Sequence, residues 1–400
     1  MKRIPPRFVA HLLALAVAIP ACGDLSDVPA VVANVDYRPN GELVVFTSGG
    51  VKTYQGDFER EVGSFPIGTD DPYALQYNAT HLSDDGRLTA VTYENQNNKT
   101  VLYTVPDGAM LVSLRPAPSA PFVALSPTGS LAYAYTSAGD SGSPLTPPTT
   151  TQALYRASDG TKLWSVDYMR QALPSRYCKT FSPDDAPPPI FTPDEATMFL
   201  PFGEHLFAAD TISGAIHEIA TVHACIGGLT LLPDGSLLVL HGLSEPWGYP
   251  GLNGAPVTNP DLPDAALPNS FAIYSQDGTL LREIGPFAGN YYTPATIWGR
   301  DSPMFCSPLG DRCAVFAQNV DPSLGENMMS SPSFVLVWSL DGTLLYTIPA
   351  PATGTAAFSP DGSKLAVAFT YSAEVTSSAR IYRAEDGTLL AERSYTRGVF

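Results

Sequence analysis

The chain has 400 residues, 44% hydrophobic and 10% aromatic, enough apolar material to exclude wholesale disorder. Only 15% are charged, and 39 acids against 22 bases leave −17, which argues against a nucleic-acid polyanion as partner. Its 33 glycines and 38 prolines, in so charge-poor a sequence, point to many short strands joined by tight turns.

The N-terminus reads as an export signal. Lys2, Arg3 and Arg7 precede the apolar run Phe8 to Ile19, which is too short to span a bilayer but suits a signal peptide. The next residues, Ile19-Pro20-Ala21-Cys22-Gly23, resemble the bacterial lipobox. That resemblance implies cleavage before Cys22 and acylation of Cys22; more than one acyl chain gives stable anchoring. Gly23, in place of an Asp, favours the outer over the inner membrane. Loss of residues 1–21 removes three bases and no acid, taking −17 to −20. Residues 22–32 are then a tether and 33–400 the folded body, attached to the membrane through its lipid alone.

From residue 35 onward one two-part unit recurs. Its first half is an apolar strand, a turn of the Ser-Pro-Asp-Gly type and a second apolar strand; its second half is an aromatic-apolar strand, an Asp-Gly turn and a short strand. In chain order the first halves are Val35–Phe46, Thr80–Val91, Phe122–Tyr133, Phe191–Phe199, Leu229–Val239, Met304–Phe316 and Thr355–Ala368. The second halves are 102–114, 154–166, 273–284, 337–348 and 381–393, with degenerate copies at 51–62 and 206–219. Pro presets φ at the first turn position, Asp or Asn tolerates left-handed geometry, and Gly supplies positive φ, so each unit predicts four antiparallel strands, a to d. One such sheet cannot cover its own faces, so neighbours must stack. Seven copies are expected; six or eight remain open because Phe181-Ser-Pro-Asp-Asp185 reads as either a decoy or a further turn. Ring closure is open between a strand from Val28 to Ala33 completing the last sheet and direct packing of the first unit on the last.

The pattern FSPDG-x-x-LA followed by IY-x-x-x-DG is similar to the WD-repeat and TolB-type β-propeller repeats, and it covers nearly the whole body. The resemblance implies an all-β, seven-bladed propeller of four-stranded antiparallel blades. Gly160 and Trp164 also resemble the repeat of pyrroloquinoline-quinone-type propellers, a family that includes an outer-membrane assembly scaffold.

Long insertions fall between strands b and c: Glu94–Lys99, Ser137–Thr150, His241–Asn269, Asn319–Ser333 and Tyr371–Ser378. Strands b–c and d–a connect on one face and the tight turns on the other, so a single face carries the elaborated loops, where binding usually resides. Trp247, Tyr249, Met328, Met329 and Tyr371 in the insertions, with Tyr291, Tyr292 and Trp298 in a d–a connection, are the candidate binding-face anchors. They suit a protein or a glycan partner at the cell envelope.

Four cysteines remain beyond Cys22. Cys306 and Cys313 flank a turn and are expected to bridge a hairpin, leaving Cys178 and Cys225 to pair by exclusion. No Cys-x-x-Cys or other metal spacing occurs, and no metal or other cofactor is expected. Gly139-Asp-Ser-Gly-Ser-Pro144 resembles a serine-protease nucleophile segment but has no matching histidine motif. The repeated turn aspartates (Asp85, Asp107, Asp159, Asp234, Asp277, Asp341, Asp361 and Asp386) are read as turn formers, and no catalytic residue is assigned. The expected function is a monomeric, non-enzymatic binding or scaffold module; the alternatives are an enzyme at the channel mouth, a hydrolase, lyase or quinoprotein, and an assembly scaffold.

Overall fold

A computed structural model describes residues 32–47, 49–67, 80–93, 99–114, 122–138, 149–169, 187–222, 225–242, 270–285, 291–292, 304–319, 333–350, 354–369 and 378–395. These form seven antiparallel sheets, each built from consecutive strands. The strands nearest the ring axis, strand a of blades 1 to 7, are Val32–Tyr37, Thr80–Leu82, Phe122–Leu125, Ile190–Phe191, Cys225–Leu231, Met304–Cys306 and Gly354–Phe358. Blade 6 has a second inner segment, Tyr291–Tyr292, on the same partner strand.

Each blade buries both faces, so its inner strands read as continuous apolar runs. In Leu43-Val44-Val45-Phe46, Leu43 and Val45 pack toward blade 7, while Val44 and Phe46 pack toward blade 2. The core is accordingly divided into seven apolar clusters, one at each blade junction. One of them joins blade 1 to blade 7, so the molecule is a closed, seven-bladed β-propeller.

Closure follows the second of the two open routes. Val32 and Ala33 belong to strand a of blade 1, and no N-terminal strand completes blade 7 among the described residues. The backbone N–H of Val35 instead donates to Thr355 Oγ1 across the seam, 3.3 Å away. Tyr395, just beyond the last strand, is buried in the same junction. Asp57 and Lys364 form an ion pair of 2.6 Å there, and the Arg393 guanidinium lies 4.8 Å from the Tyr54 ring centroid.

The turns use a different device from the expected one. In the a–b turn of blade 2 the Gly86 N–H donates to the Ser83 carbonyl, and only Gly86 is left-handed, at φ 67°. Asp85 keeps negative φ; its carboxylate accepts from the Arg87 N–H and the Ser83 hydroxyl. Asp159, Asp234, Asp277, Asp341, Asp361 and Asp386 likewise accept an N–H from two residues onward. Aspartate is selected here as a side-chain acceptor that closes the loop, and glycine supplies the left-handed step in every a–b turn but that of blade 4, where Glu195 does.

Candidate functional site

Strand polarity gives the ring two unlike ends. The a–b and c–d turns lie at one, the turn face; the b–c and d–a connections lie at the other, the loop face. Blade 6 marks the loop face directly, because Tyr291–Tyr292, from a d–a connection, pairs with Gln318 and Asn319 at the end of strand b. The strand ends leave 5, 10, 27, 13 and 8 residues between b and c in blades 2, 3, 5, 6 and 7, but only two in blades 1 and 4.

Three insertions begin later than expected, that of blade 6 by one residue because Asn319 ends strand b. In blade 3, Ser137 and Ala138 pair with Thr150 and Thr149, which extends the hairpin into the predicted loop. In blade 5, His241 pairs with Ser270, and its Nδ1 lies 2.8 Å from the Ser270 hydroxyl. His241 is thus a buried residue of strand b and not part of the insertion. Trp247, Tyr249, Trp298, Met328, Met329 and Tyr371 lie outside the described residues, as do Cys22 and Cys178. The backbones of Tyr291, Tyr292 and Cys225 are placed in strands, but their side chains lie outside the description. Cys306 and Cys313 are directly opposite in the ladder and form a disulfide.

The repeat register identifies a further site that the reading for loops and motifs passed over. Aligned on the a–b turns, the first central turn position holds Pro39, Asp84, Pro127, Pro193, Pro233, Pro308 and Pro360 around the turn-face mouth of the channel. Six prolines and one aspartate form the collar. Three residues earlier, on strand a, the same register holds Asp36, His81, Ala124, Ile190, Thr230, Phe305 and Ala357. Val35 and Tyr37 pack toward blade 7, so strand alternation turns Asp36 toward blade 2. Leu82 packs toward blade 1, so His81 turns toward blade 3. Two ionisable groups therefore occupy adjacent blades in a tier whose other members are apolar or threonine.

Asp36 and His81 sit deep among protein atoms yet keep part of their surface open. Burial pushes the Asp36 carboxyl up to about 7, against the Tyr37 N–H that it accepts; the charge of Asp84 adds to the rise. Burial lowers His81 to about 4. Its Nδ1 accepts the Leu125 N–H at 3.3 Å, so the neutral ring carries its proton on Nε2. Asp84 is exposed at the rim, but the surrounding mouth and the charges of Asp85 and Glu195 raise it as well. Neither Asp36 nor Asp84 pairs with a lysine or arginine among the described residues; Arg38, the cation nearest in sequence, is engaged by Glu42 and the Gly86 carbonyl.

No family model matches the chain, and no curated protein matches it either. Solved structures do. A chain titled Kuenenia stuttgartiensis hydrazine synthase aligns with 92% of this chain and 99% of its own length, at 15% identity and TM-score 0.53. A chain of the mitotic checkpoint complex aligns over 86% and 87%, at 11% identity and TM-score 0.54. The β-propeller domain of Cps50 (Swd1) from Myceliophteria thermophila aligns over 84% and 93%, at 13% identity and TM-score 0.50. The likeness is one of fold. What is shared is the β-propeller, and a fold does not by itself assign a function.

Proposed function

We propose that this chain is a lipid-anchored β-propeller of the bacterial cell envelope, more specifically of the outer membrane. It serves as a non-enzymatic binding or scaffold module for a protein or glycan partner. The observation that carries this reading is the segregation of elaborated connections: five of seven b–c links are long and share one face, whereas the opposite face is made of tight turns. Rigid blades presenting variable connections form a binding scaffold. The turn aspartates lend no support to a catalytic reading, because seven of the eight are engaged as acceptors within their own turns. The chain of the mitotic checkpoint complex among the structural neighbours supports a protein partner, and the lipobox-like Ile19-Pro20-Ala21-Cys22 supports the anchor.

Two experiments test this. Metabolic labelling with a fatty-acid probe should mark the wild-type chain and leave Cys22→Ala unmarked; label on the variant defeats the anchor. Shortening residues 244–268 should leave the thermal melt unchanged while reducing partner crosslinking on intact membranes. Undiminished crosslinking removes that loop from the binding face.

A further inference from the structure

We propose that the outer wall of blades 5 to 7, at its turn-face edge, is a docking surface for a protein segment that presents basic and apolar side chains together. This surface is on the opposite end of the ring from the elaborated loops and stands or falls independently of the partner proposed above. A bulge repeated around the ring carries it. Strand d is the outermost strand of each blade and begins just after the c–d turn. In six of the seven blades the ladder between strands c and d skips one residue there: Val62, Leu111, Leu163, Leu281, Leu345 or Leu390. All six are between 36% and 58% exposed. A bulge re-aims the side chain that it leaves unpaired. A polar side chain there would cost the ladder nothing, yet every one is aliphatic. Blade 4 is the exception: its ladder skips Ile219, farther along, and that side chain packs into the cluster between blades 4 and 5.

On blades 5, 6 and 7 the residue before the bulge is also an exposed leucine, so Leu280-Leu281, Leu344-Leu345 and Leu389-Leu390 form three pairs. These blades abut at this level: Gly342 of blade 6 faces Ile284 on strand d of blade 5, and Gly387 of blade 7 faces Tyr346 on strand d of blade 6. Single exposed leucines are ordinary, but six on one arc make a patch of the kind that marks an interaction surface. Charge selects the occupant. The three c–d turns beside the pairs carry Asp277, Asp341, Glu385 and Asp386 and no base. Hydrogen bonds from Ser275, Ser339 and Thr388 hold the three aspartates below the usual carboxylate range, so they stay charged. Leucines flanked by carboxylates suit a segment that brings lysine or arginine with its apolar side chains, and they oppose an anionic lipid surface. The bulge also interrupts the sheet edge, so side chains, rather than addition of a further strand, recognise the occupant.

The test uses the full chain with Cys22→Ala, so that acylation plays no part, and a labelled peptide of leucines and lysines in amphipathic helical order. Saturable binding in the micromolar range is expected by fluorescence anisotropy, weakening several-fold in high salt. A leucine–glutamate peptide of the same pattern and a lysine–serine peptide should not bind. Leu281→Ser, Leu345→Ser and Leu390→Ser together should weaken binding about tenfold or more with the thermal melt unchanged, because all three side chains are exposed. Asp277→Asn with Asp341→Asn, which keeps the turn acceptors, should weaken it several-fold. Absence of saturable binding by the lysine peptide, or unchanged affinity in the folded triple variant, overturns the surface. An equal loss from Leu163→Ser, on blade 3, overturns the arc, and equal binding of the glutamate peptide overturns the partner's charge. Flotation with phosphatidylcholine vesicles, or dimerisation in sedimentation, abolished by the triple variant assigns the patch to a lipid surface or to a second copy and defeats the proposal.

Discussion

At the scale of single residues, Glu195 shows how one side chain can replace the turn chemistry of the repeat. It stands where the other a–b turns have glycine, at φ 58°, a left-handed conformation costing a non-glycine residue about 1–2 kcal/mol. Its carboxylate accepts from the Thr128 N–H (2.8 Å), the Thr128 hydroxyl (2.6 Å) and the Ser130 hydroxyl in the neighbouring blade. Burial works to raise its pKa, but these bonds overcome that and hold it below the usual range. Three bonds of about 1 kcal/mol each outweigh the strain. Glu195→Gly should therefore lose about 1 kcal/mol in urea unfolding, and Glu195→Ala, which keeps the strain and loses the bonds, should lose more. Asp36 makes a prediction with the opposite electrostatic sign. Its carboxyl is raised from 3.8 to about 7, so its contribution to stability is complete below pH 4 and is lost as pH rises through 7. Asp36→Asn should leave stability near pH 4 little changed and raise it most above pH 7, measured as Tm against pH. His81, lowered to about 4, acts in the other direction, destabilising the fold as pH falls from 6.5 toward 4. A Tm gain for Asp36→Asn that does not grow between pH 5 and pH 8 would defeat the assignment.

At the scale of elements, the c–d turns do more than reverse the chain. Each of those in blades 2 to 7 brings its glycine against strand d of the preceding blade. Gly214 faces Trp164, whose indole N–H donates to the Thr211 carbonyl of the same turn at 3.0 Å. A Cβ at Gly214 would lie 2.8 Å from the ring, at φ 72°. Gly214→Ala should cost about 1–3 kcal/mol, from left-handed strain together with overpacking, and should quench the altered Trp164 environment seen by fluorescence less than unfolding does. A melt identical to wild type would show that blade 4 can shift away freely. The sequence made five of these six turns visible as Asp-Gly pairs, and that of Gly214 as the weaker Ser213-Gly214, because turn residues are a local requirement. It concealed their second task, since the partner of Gly214 lies in another copy of the repeat, and only the stacking of blades brings the two together. The same limit hid the channel tier. Asp36, His81 and Asp84 are ordinary polar residues in isolation; they stand out only when the seven copies are laid in register, beside columns of apolar residues and prolines. The aromatic anchors were conspicuous for the opposite reason, being large residues in long insertions. Insertions have no repeat register to fix their place, and most of those anchors lie outside the described residues.

For the whole molecule, the decisive junction is the seam between blades 1 and 7, where the chain ends must meet. A ring can close by exchanging a strand; among the described residues each blade is sequence-contiguous, so the seam is held there by side-chain packing and the Val35–Thr355 hydrogen bond. Two kinds of contact compete for that role. The Asp57–Lys364 pair is short, at 2.6 Å, but both side chains are about one-third exposed, at 31% and 34%, and such pairs contribute at most about 1 kcal/mol. The apolar cluster at the seam is dry: Val32, Leu43, Val45, Ala366, Ala379 and Ile381 are all fully buried. Truncating a buried isoleucine costs about 2–5 kcal/mol. Ile381→Ala should therefore lower stability by several times more than Asp57→Asn or Lys364→Met, and the charge variants should converge on wild type in high salt. Arg393 keeps its own hold on Tyr54 and the Phe58 carbonyl, worth about 1 kcal/mol. If Asp57→Asn proved as damaging as Ile381→Ala, the ring would be closed by charge, and its integrity would depend on ionic strength. If the apolar seam dominates, as its burial requires, the ring stays shut in any salt and opens only when blade 7 itself unfolds.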